Sequence, residues 1–590
     1  MKRFTKLFIL VLLPLTACFN QRPDLSCSTY QEADDPKPIK NEDWDITGRG
    51  LHASFGSTDL RYAKHEVPMQ AVTKELNFTA WRGEKISAQA VLWSVDSVRQ
   101  VECVMSEVKT KDGYTIPAEN IQTRFVRYVL TDEFAGGCGY RQAVDFDSSL
   151  VADALDPAIC MDMPKRSVRP VWLSIKIPQN APAGQYGGSL KIYSKKNPPQ
   201  ELRFSVNVQD RVLPSSDQWR FHLDLWQNPF AIARWYKVEP WSDAHFKVMK
   251  PYFELLAEAG QKCITTSIIH HPWNSQTFDP FLSMIKWTKQ SNGAWEYDYS
   301  VFDRWVEFAG ECGIGEQINC YTMVPWGNNF RYYDEKTGEV VKVNAEPGTS
   351  EYVNLWKPFL VDFASHLKGK GWFGQTTIAM DERPEKAMVE VIKLIKSVEP
   401  DFKVSLAANH WIPEIMDDIH DLCVASEFNY TAEMKRKRKQ EGKITTYYTC
   451  CSENYPNTFT FSPPAESAWL GWYAAAMDLD GYLRWAYNSW VENPLVDSRF
   501  RAWPAGDTYF VYPGAMSSVR FERLIEGIQD FEKIQILKCD LESDTSKVAK
   551  TKLAILNEKL GGFKMDRISG ETAAGMVNKG REIINAISQD

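Results

Sequence analysis

Two adjacent carboxylates, Asp381 and Glu382, follow a short apolar run and stand just before Pro384. Residues 377–380 predict a buried strand, and Pro384 predicts the first turn of a helix, where proline is tolerated. In barrel enzymes, the loop between a strand and the next helix carries the catalytic side chains. A second interpretation stays open: Asp381 could cap the helix, with Glu382 favouring its positive end. These residues alone do not decide between an acid pair that transfers protons and a helix cap.

The chain from residue 214 onward predicts a parallel barrel that would hold this pair. Apolar runs of strand length alternate with amphipathic runs of helix length, which is typical of βα units, and eight such units match a (β/α)8 TIM barrel. The predicted strands are 221–226, 263–269, 317–323, 377–380, 404–408, 424–428, 445–450 and 481–488. The predicted helices are 242–259, 302–312, 352–368, 385–397, 434–440, 465–479 and 517–537. The connection between the fifth and sixth strands is short for a helix.

The chain before residue 214 has a different pattern. Alternating apolar and polar residues at 171–177, 190–192 and 202–208 are separated by Gly and Pro turns, which favours a β-sandwich. The predicted fold is therefore multidomain α and β. It comprises a β-sandwich at 46–213, a TIM-barrel catalytic domain at 214–540, and a C-terminal helical extension at 541–590 with helices at 546–560 and 571–587.

The N-terminus has the pattern of an export signal. Lys2, Arg3 and Lys6 precede an apolar run that is too short to span a bilayer. The run ends at Leu15-Thr-Ala-Cys18, which resembles a bacterial lipoprotein cleavage box. The resemblance implies a signal peptide at 1–17, lipidation of Cys18, and a location in the bacterial cell envelope, in the periplasm or at the outer membrane. Residues 18–45 are polar and predict a flexible tether, so we expect membrane contact through the lipid only.

Charge and composition narrow the class of ligand. A net charge of -8 argues against nucleic acid as a partner, because phosphate binding needs a basic surface. Aromatic residues make up 13% of the chain and offer flat faces that suit sugar rings, although core packing explains most of them. No Cys or His spacing predicts a metal site, and no cofactor is expected. Cys138 and Cys160 are candidates for a disulfide, with free buried thiols as the alternative.

The end of the predicted barrel resembles glycoside hydrolase family 123. The motifs that carry the resemblance are Trp485-Ala-Tyr-Asn-Ser-Trp490, Asn493-Pro494, Trp503-Pro-Ala-Gly-Asp507, Tyr512-Pro-Gly514, and Ser518-Val-Arg520 with Glu522, Gly527 and Asp530. Met380-Asp-Glu382 stands where that family keeps its catalytic pair. The resemblance covers most of the chain after the tether, and the family also pairs a β-sandwich with a barrel.

The resemblance implies a retaining β-N-acetylgalactosaminidase. We expect exo action that removes terminal β-linked N-acetylgalactosamine from a glycan, and the sequence leaves endo action open. The sugar's 2-acetamido oxygen would attack the anomeric carbon and form an oxazoline, so that no enzyme nucleophile is needed. Asp381 would orient the acetamido N–H, and Glu382 would act as general acid and base. The predicted substrate-binding residues are Tyr448 as hydroxyl donor to the acetamide, Trp485 or Trp490 as sugar platform, and Asn409, His410, Asn488 and His270 as polar contacts at strand ends.

Three alternatives stay open at this point. The sugar could be N-acetylglucosamine rather than its galacto isomer. An ordinary glycosidase would use two separated carboxylates, with Glu427 or Asp224 as the second acid. A glycan-binding lipoprotein without catalytic activity would keep the aromatic pocket but tolerate the loss of Glu382.

Overall fold

The computed structural model describes residues 26–29, 31–38, 42–132, 137–139, 147–274, 276–453, 455–565 and 571–589. Cys18 and the predicted signal peptide lie outside the described residues. Among the residues described, no helix is both long and apolar enough to cross a bilayer.

The first part of the chain forms two packed antiparallel-rich sheets, as its period-two pattern predicts. One sheet has the order β1-β3-β9-β6-β7, and the other has the order β2-β11-β10-β4-β8 with β5 paired to β10. Buried side chains alternate along the strands, for example Leu202, Phe204 and Val206, and they fill the space between the sheets. The strands are β1 (His52–Gly56), β2 (Glu75–Arg82), β3 (Lys85–Ser94), β4 (Val98–Met105), β5 (Lys109–Thr110), β6 (Ile121–Asp132), β7 (Ser148–Asp156), β8 (Cys160–Met163), β9 (Ser167–Lys176), β10 (Gly184–Tyr193) and β11 (Gln200–Val212).

The second part of the chain forms a parallel, nearly closed barrel. Its strands are β12 (His222–Leu225), β13 (Cys263–Ser267), β16 (Gln317–Tyr321), β19 (Thr376–Met380), β20 (Lys403–Ala408), β21 (Asp421–Ala425), β22 (Ile444–Tyr448) and β23 (Gly481–Arg484). Their order is β12-β23-β22-β21-β20-β19-β16-β13. At the seam between β12 and β13, the Lys262 amide donates to the Leu223 carbonyl at 3.0 Å. All eight predicted strands are therefore confirmed: β19 and β20 begin one residue earlier than predicted, and the other six are shorter than or shifted from their predicted ranges.

The described helices comprise a short one before the β-sandwich and others in the second part of the chain, most of which follow a barrel strand in βα order. They are α1 (Asp43–Ile46), α2 (Pro229–Tyr236), α3 (Asp243–Glu258), α4 (Ser300–Glu311), α5 (Ser350–Lys370), α6 (Glu385–Val398), α7 (Ala432–Gln440), α8 (Pro464–Ala476), α9 (Val519–Ser543), α10 (Lys547–Leu560) and α11 (Ala573–Ile587). Between β20 and β21, residues 409–420 are all described and contain a 3₁₀ turn, Pro413–Ile415, in place of an α-helix. The connection between the fifth and sixth barrel strands is therefore short, as the sequence indicates, and these residues contain no α-helix.

Two features were not predicted. Helix α2 begins directly after β12, with the Asn228 side chain accepting from the amides of Phe230 and Ala231. A four-stranded sheet of order β15-β14-β17-β18 stands on the loops that follow β13 and β16. Its strands are β14 (Lys286–Lys289), β15 (Trp295–Asp298), β17 (Asn329–Asp334) and β18 (Glu339–Asn344). These insertions enlarge the barrel face at which β19 ends.

Helix α9 joins the barrel to the β-sandwich through buried ion pairs. Arg520 Nε lies 3.0 Å from Asp153 of β7, and Glu522 lies 2.9 Å from Arg124 and 2.7 Å from Lys85. Both of these α9 side chains are about 1% exposed. The charged positions early in this helix therefore serve the domain interface.

Gly527, another residue of the motif noted in the sequence, lies where α9 crosses α8. A Cβ atom there would lie 2.4 Å from the Ala468 carbonyl oxygen of α8. Helices α8 and α9 therefore approach so closely that only glycine fits at this crossing.

The two disulfides of the described chain contradict two predictions. Part of the predicted tether is docked, because Cys27 forms a disulfide with Cys160 and Glu32 accepts two hydrogen bonds from Arg169. The second disulfide joins Cys138 to Cys451 in the loop after β22, so the candidate pair of Cys138 with Cys160 is wrong. Both bonds join parts of the chain separated by more than one hundred residues, 133 and 313, which spacing alone does not show.

Candidate active site

Strand β19 ends before the acid pair. Its last residue is Met380, and α6 begins at Glu385 after an irregular turn. Side chains alternate between faces within a strand, so the early end of β19 frees Asp381 and Glu382 from that constraint. The N-cap position of α6 is Pro384, and no side chain caps the helix in this described segment. The helix-cap interpretation of Asp381 is therefore wrong, and its carboxylate has other partners.

Asp381 is held by two side chains. Arg383 donates to Asp381 Oδ1 through Nε at 2.9 Å and Nη2 at 2.8 Å. The Trp326 indole N–H, from the loop after β16, lies 3.4 Å from Asp381 Oδ2. The Arg383 guanidinium also lies over the Trp326 ring, 3.9 Å from its centroid. Asp381 is only 7% exposed, so this arrangement fixes a carboxylate whose Oδ2 has one long contact.

Glu382 faces a different partner. The Tyr448 hydroxyl, at the end of β22, donates to Glu382 Oε1 at 2.5 Å. Burial raises the pKa of Glu382 above its usual range, the Tyr448 hydrogen bond lowers it, and the negative charge of Asp381 raises it again. The balance is upward, which favours a carboxyl group that still holds its proton at a pH where an exposed glutamate has lost it.

The two contacts place both carboxylates at the mouth of the barrel. Strands β20 and β21 separate β19 from β22 in the sheet, so the hydrogen bond between Glu382 and Tyr448 spans part of the mouth. The partner of Asp381 comes from the other side, because β16 pairs with β19 on its opposite edge. A carboxylate held by a guanidinium thus stands beside a carboxyl group whose pKa is raised, which is an arrangement suited to charge stabilisation and proton transfer.

Aromatic rings line the mouth next to the acid pair. Trp226, Trp273 and Tyr321 pack together with centroid distances of 4.6 to 5.1 Å, and they belong to one cluster with Tyr448. Trp485 lies on the border of this cluster and is only partly buried. Its indole N–H donates to Asp507 Oδ2 at 3.1 Å. Of the two predicted sugar platforms, Trp485 is the one with an accessible ring at the mouth.

A buried ion pair between Arg484 and Asp507 lies next to Trp485. Arg484, the last residue of β23, donates to Asp507 Oδ1 at 2.5 Å, and both side chains are fully buried. Arg484 also donates to Asn457 and Thr449, which lie in the loop after β22. This network therefore fixes the orientation of Trp485 relative to the loop that follows Tyr448.

Two predicted substrate contacts are structural instead. Trp490 is fully buried, packs on Tyr252 at 5.4 Å, and donates its N–H to the Val511 carbonyl. Asn488 is 2% exposed, and its amide group pairs with the backbone of Asn228 at 2.9 and 2.8 Å. Both residues follow β23, but the chain turns into the protein interior after Trp485. Neither side chain has a free face for a ligand.

The other predicted contacts lie on the rim. Asn409 is exposed after β20, and His410 Nδ1 lies 2.6 Å from its Oδ1 atom. His270 follows β13, is partly buried, and contacts His271 edge-on at 4.2 Å. Burial and the neighbouring His271 lower the pKa of His270 to about 4, so its imidazole is neutral near pH 7. The structure thus brings Asp381, Glu382, Tyr448 and Trp485 together, and it leaves these three residues farther out.

The sequence did not show which side chains hold the acid pair. Trp326 stands near the end of the third predicted strand, which was a usable signal. Arg383 is adjacent to the pair, but its guanidinium could equally have pointed to solvent. The pairing of Arg484 with Asp507 joins a strand end to a later loop, and a sequence motif contains no information on that contact.

Comparisons with known proteins agree on one family. The profile of the glycoside hydrolase 123 catalytic domain matches residues 226–537, and that of the glycoside hydrolase 123 N-terminal domain matches residues 55–194. No curated protein matches this chain.

Among solved structures, a family 123 glycoside hydrolase from Clostridium perfringens, described in connection with glycolipid glycan hydrolysis, is 27% identical. The alignment covers 91% of this chain and 98% of that one, with a TM-score of 0.82.

More distant structures include a family 39 glycoside hydrolase from Bacteroides cellulosilyticus, 10% identical over 77% of this chain and 81% of that one, with a TM-score of 0.33. A Bacteroides ovatus GH5 xyloglucanase is 9% identical over 77% and 98% of the two chains, with a TM-score of 0.27. The catalytic-domain match spans more than half of the chain, includes the acid pair, and agrees with the barrel and sandwich described above. This chain therefore belongs to glycoside hydrolase family 123.

Proposed function

We propose that this glycosidase removes terminal β-linked N-acetylgalactosamine from a glycan, with retention of configuration and with the substrate's own 2-acetamido group as nucleophile. The observation that carries the proposal is the contrast between the neighbouring acids. Asp381 is paired with a guanidinium, while Glu382 has a raised pKa. The galacto preference is supported by family membership alone.

Asp381 provides the negative charge in the proposed reaction. As the acetamido oxygen bonds to the anomeric carbon, positive charge develops on the acetamido nitrogen. A fixed carboxylate stabilises this charge most strongly when it is oriented before the reaction begins. Oδ1 is occupied by Arg383, so Oδ2, with its single 3.4 Å contact to Trp326, is the atom proposed to accept from the acetamido N–H.

Glu382 transfers the proton. In the first step its carboxyl proton passes to the leaving glycosidic oxygen as the oxazoline forms. In the second step the resulting carboxylate takes a proton from the water that opens the oxazoline, which restores the starting state. The raised pKa of Glu382 keeps the acid form available for the first step.

The hydrogen-bond partner of the Tyr448 hydroxyl depends on whether Glu382 holds its proton. In the structure its hydroxyl proton is donated to Glu382. Once Glu382 is protonated, the carboxyl group can donate to the tyrosine oxygen, and the tyrosine proton becomes free to bind the acetamido oxygen. Tyr448 is therefore proposed to bind the acetamide when Glu382 holds its proton.

The separated-carboxylate alternative has less support. Asp224 lies in the barrel interior, 2% exposed, and accepts from the side chains of Asn319 and Trp226. Glu427 is exposed after β21, and no described contact joins it to Glu382.

Glu382→Gln tests the proposal on aryl β-N-acetylgalactosaminides of graded leaving-group acidity. We expect hydrolysis to fall most for poor leaving groups. For good leaving groups, azide should restore turnover with a β-glycosyl azide as product, because an anionic nucleophile needs no general base to open the oxazoline. Glu427→Gln is the matched control and should behave as the parent enzyme. A uniform loss across leaving groups, or an inactive Glu427→Gln variant, would refute the assignment.

We also propose that the protein is exported and held in the bacterial cell envelope by a lipid on Cys18. The support is the N-terminal sequence together with two disulfides, since such bonds persist in oxidising compartments. When bacterial cells that express the Cys18→Ser variant are fractionated, the variant should no longer be found with the membranes. A variant that stays in the membrane fraction would contradict the proposal.

A further inference from the structure

Three metal-ligating side chains meet at the end of the barrel opposite the acid pair. His222, Cys263 and Asp421 are the first residues of β12, β13 and β21. Strands of a parallel barrel begin at one end and finish at the other, so this cluster is remote from Asp381 and Glu382, which follow the end of β19. All three side chains are buried. The cluster therefore has no part in the proposed glycosidase chemistry.

Two of the three separations between the donor atoms are close to those expected around a tetrahedral metal ion. Cys263 Sγ lies 3.2 Å from His222 Nε2, which lies 3.5 Å from Asp421 Oδ2, and all three atoms lie within 4.8 Å of one another. Zinc binds sulfur at about 2.3 Å and nitrogen or oxygen at about 2.0–2.2 Å, so tetrahedral donors lie about 3.3–3.6 Å apart. The two measured separations are within about 0.1–0.4 Å of those values.

The charge around the cluster favours a cation. Asp224 stands two residues after His222 on the same face of β12 and is 2% exposed. Its Oδ1 atom is buried and has no hydrogen-bond partner among the described residues. Two buried carboxylates thus lie near one imidazole, and a bound cation would place a positive charge near the unpartnered oxygen of Asp224.

Two amides connect these carboxylates. Gln317 donates to Asp421 Oδ2 at 2.7 Å and to Asn319 Oδ1 at 2.8 Å. Asn319 in turn donates to Asp224 Oδ2 at 3.0 Å. Metal ligands in proteins are commonly oriented by such outer hydrogen bonds, and here these bonds fix the carboxylate of Asp421 toward the imidazole.

We propose that His222 Nε2, Cys263 Sγ and Asp421 Oδ2 bind a divalent transition-metal ion, with zinc as the preferred ion. Thiolate and imidazole ligands select zinc over magnesium or calcium. The Cys263 thiol loses its proton to solvent on binding, and the fourth position is left to water. The ion joins β12 to β13 across the seam of the barrel and joins both to β21.

Cobalt binding tests this site independently of glycosidase activity. The full chain is stripped with a chelator, dialysed and titrated with Co²⁺, which gives a thiolate charge-transfer absorption when a cysteine binds it. We expect one Co²⁺ per chain, displacement by one Zn²⁺, and a higher midpoint of thermal unfolding with zinc. Cys263→Ser should abolish the absorption, while Cys423→Ser, which changes another buried thiol of the barrel, should preserve it.

His222→Gln provides a second variant in case Cys263→Ser does not fold, and it should weaken Co²⁺ binding at least tenfold. Parent protein that is folded but gives no charge-transfer absorption at equimolar Co²⁺ would overturn the proposal. The same conclusion would follow if the absorption persisted in Cys263→Ser, because the metal would then be bound at a different cysteine.

Discussion

Replacing Tyr448 with phenylalanine should move the pH dependence of catalysis upward. The hydroxyl of Tyr448 donates to Glu382 Oε1 and stabilises the ionised carboxylate, so it lowers the pKa of Glu382. Burial of Glu382 and the charge of Asp381 act in the opposite direction. Without the hydroxyl these two effects are unopposed, and the pKa of Glu382 rises further. The acid form of Glu382 then persists to higher pH.

The size of the shift follows from the strength of this hydrogen bond. A hydrogen bond to a charged group contributes about 1.5–3 kcal/mol, and about 1.4 kcal/mol corresponds to one pKa unit. The alkaline limb of the pH profile should therefore move upward by about 1–2 pH units in the Tyr448→Phe variant. The maximum rate should also fall, because the proposed contact with the acetamide is lost.

The assay is kcat/KM against pH on an aryl β-N-acetylgalactosaminide with a poor leaving group, for which the general acid matters most. The alkaline limb reports the pKa of the acid in the free enzyme. Tyr447→Phe is the matched control, because the Tyr447 hydroxyl donates to the Leu470 carbonyl at 2.7 Å and not to Glu382. An alkaline limb that stays in place or moves to lower pH in Tyr448→Phe would refute the reasoning.

Three further predictions concern charge pairs. Arg383→Lys loses the two-point contact with Asp381, and kcat/KM should fall by about 10–100-fold; an unchanged kcat/KM would mean that Arg383 does not position the carboxylate. Asp381→Asn should lose about 10²–10³-fold in kcat on acetamido sugars, with little change in KM, and a change confined to KM would contradict the proposed role. Asp153→Asn leaves the guanidinium of Arg520 buried without its anion and should cost about 3–5 kcal/mol in denaturant unfolding. The control Asp210→Asn breaks an exposed ion pair with Arg82 and should cost under about 1 kcal/mol. Equal costs for both variants would exclude the buried pair as a stabilising contact.

The barrel was predictable because each of its strands and helices produces a local pattern in the sequence. Each strand is a continuous apolar run, each helix has a 3.6-residue pattern, and the strand ends follow from where those runs stop. That is enough to put Asp381, Glu382 and Tyr448 on one face. The insertion sheet was missed because its strands are short and interrupt a βα loop, where a helical pattern was expected.

The finer geometry of the site depends on contacts that no local pattern contains. Trp485 and Trp490 have the same residue type and lie five positions apart, yet only Trp485 keeps an accessible face. The difference arises because Trp490 packs on Tyr252 of α3. Likewise, Arg520 pairs with Asp153 across 367 positions of the chain, so its role at the domain interface is visible only in three dimensions.

The claim that the substrate provides its own nucleophile is tested most directly by weakening that nucleophile. Aryl β-galactosides whose 2-acetamido group carries zero, one, two or three fluorine atoms have progressively less basic carbonyl oxygens, with the leaving group unchanged. We predict that kcat/KM falls steeply and regularly along this series. Equal rates across the four substrates would contradict substrate assistance and would require a nucleophile from the enzyme itself.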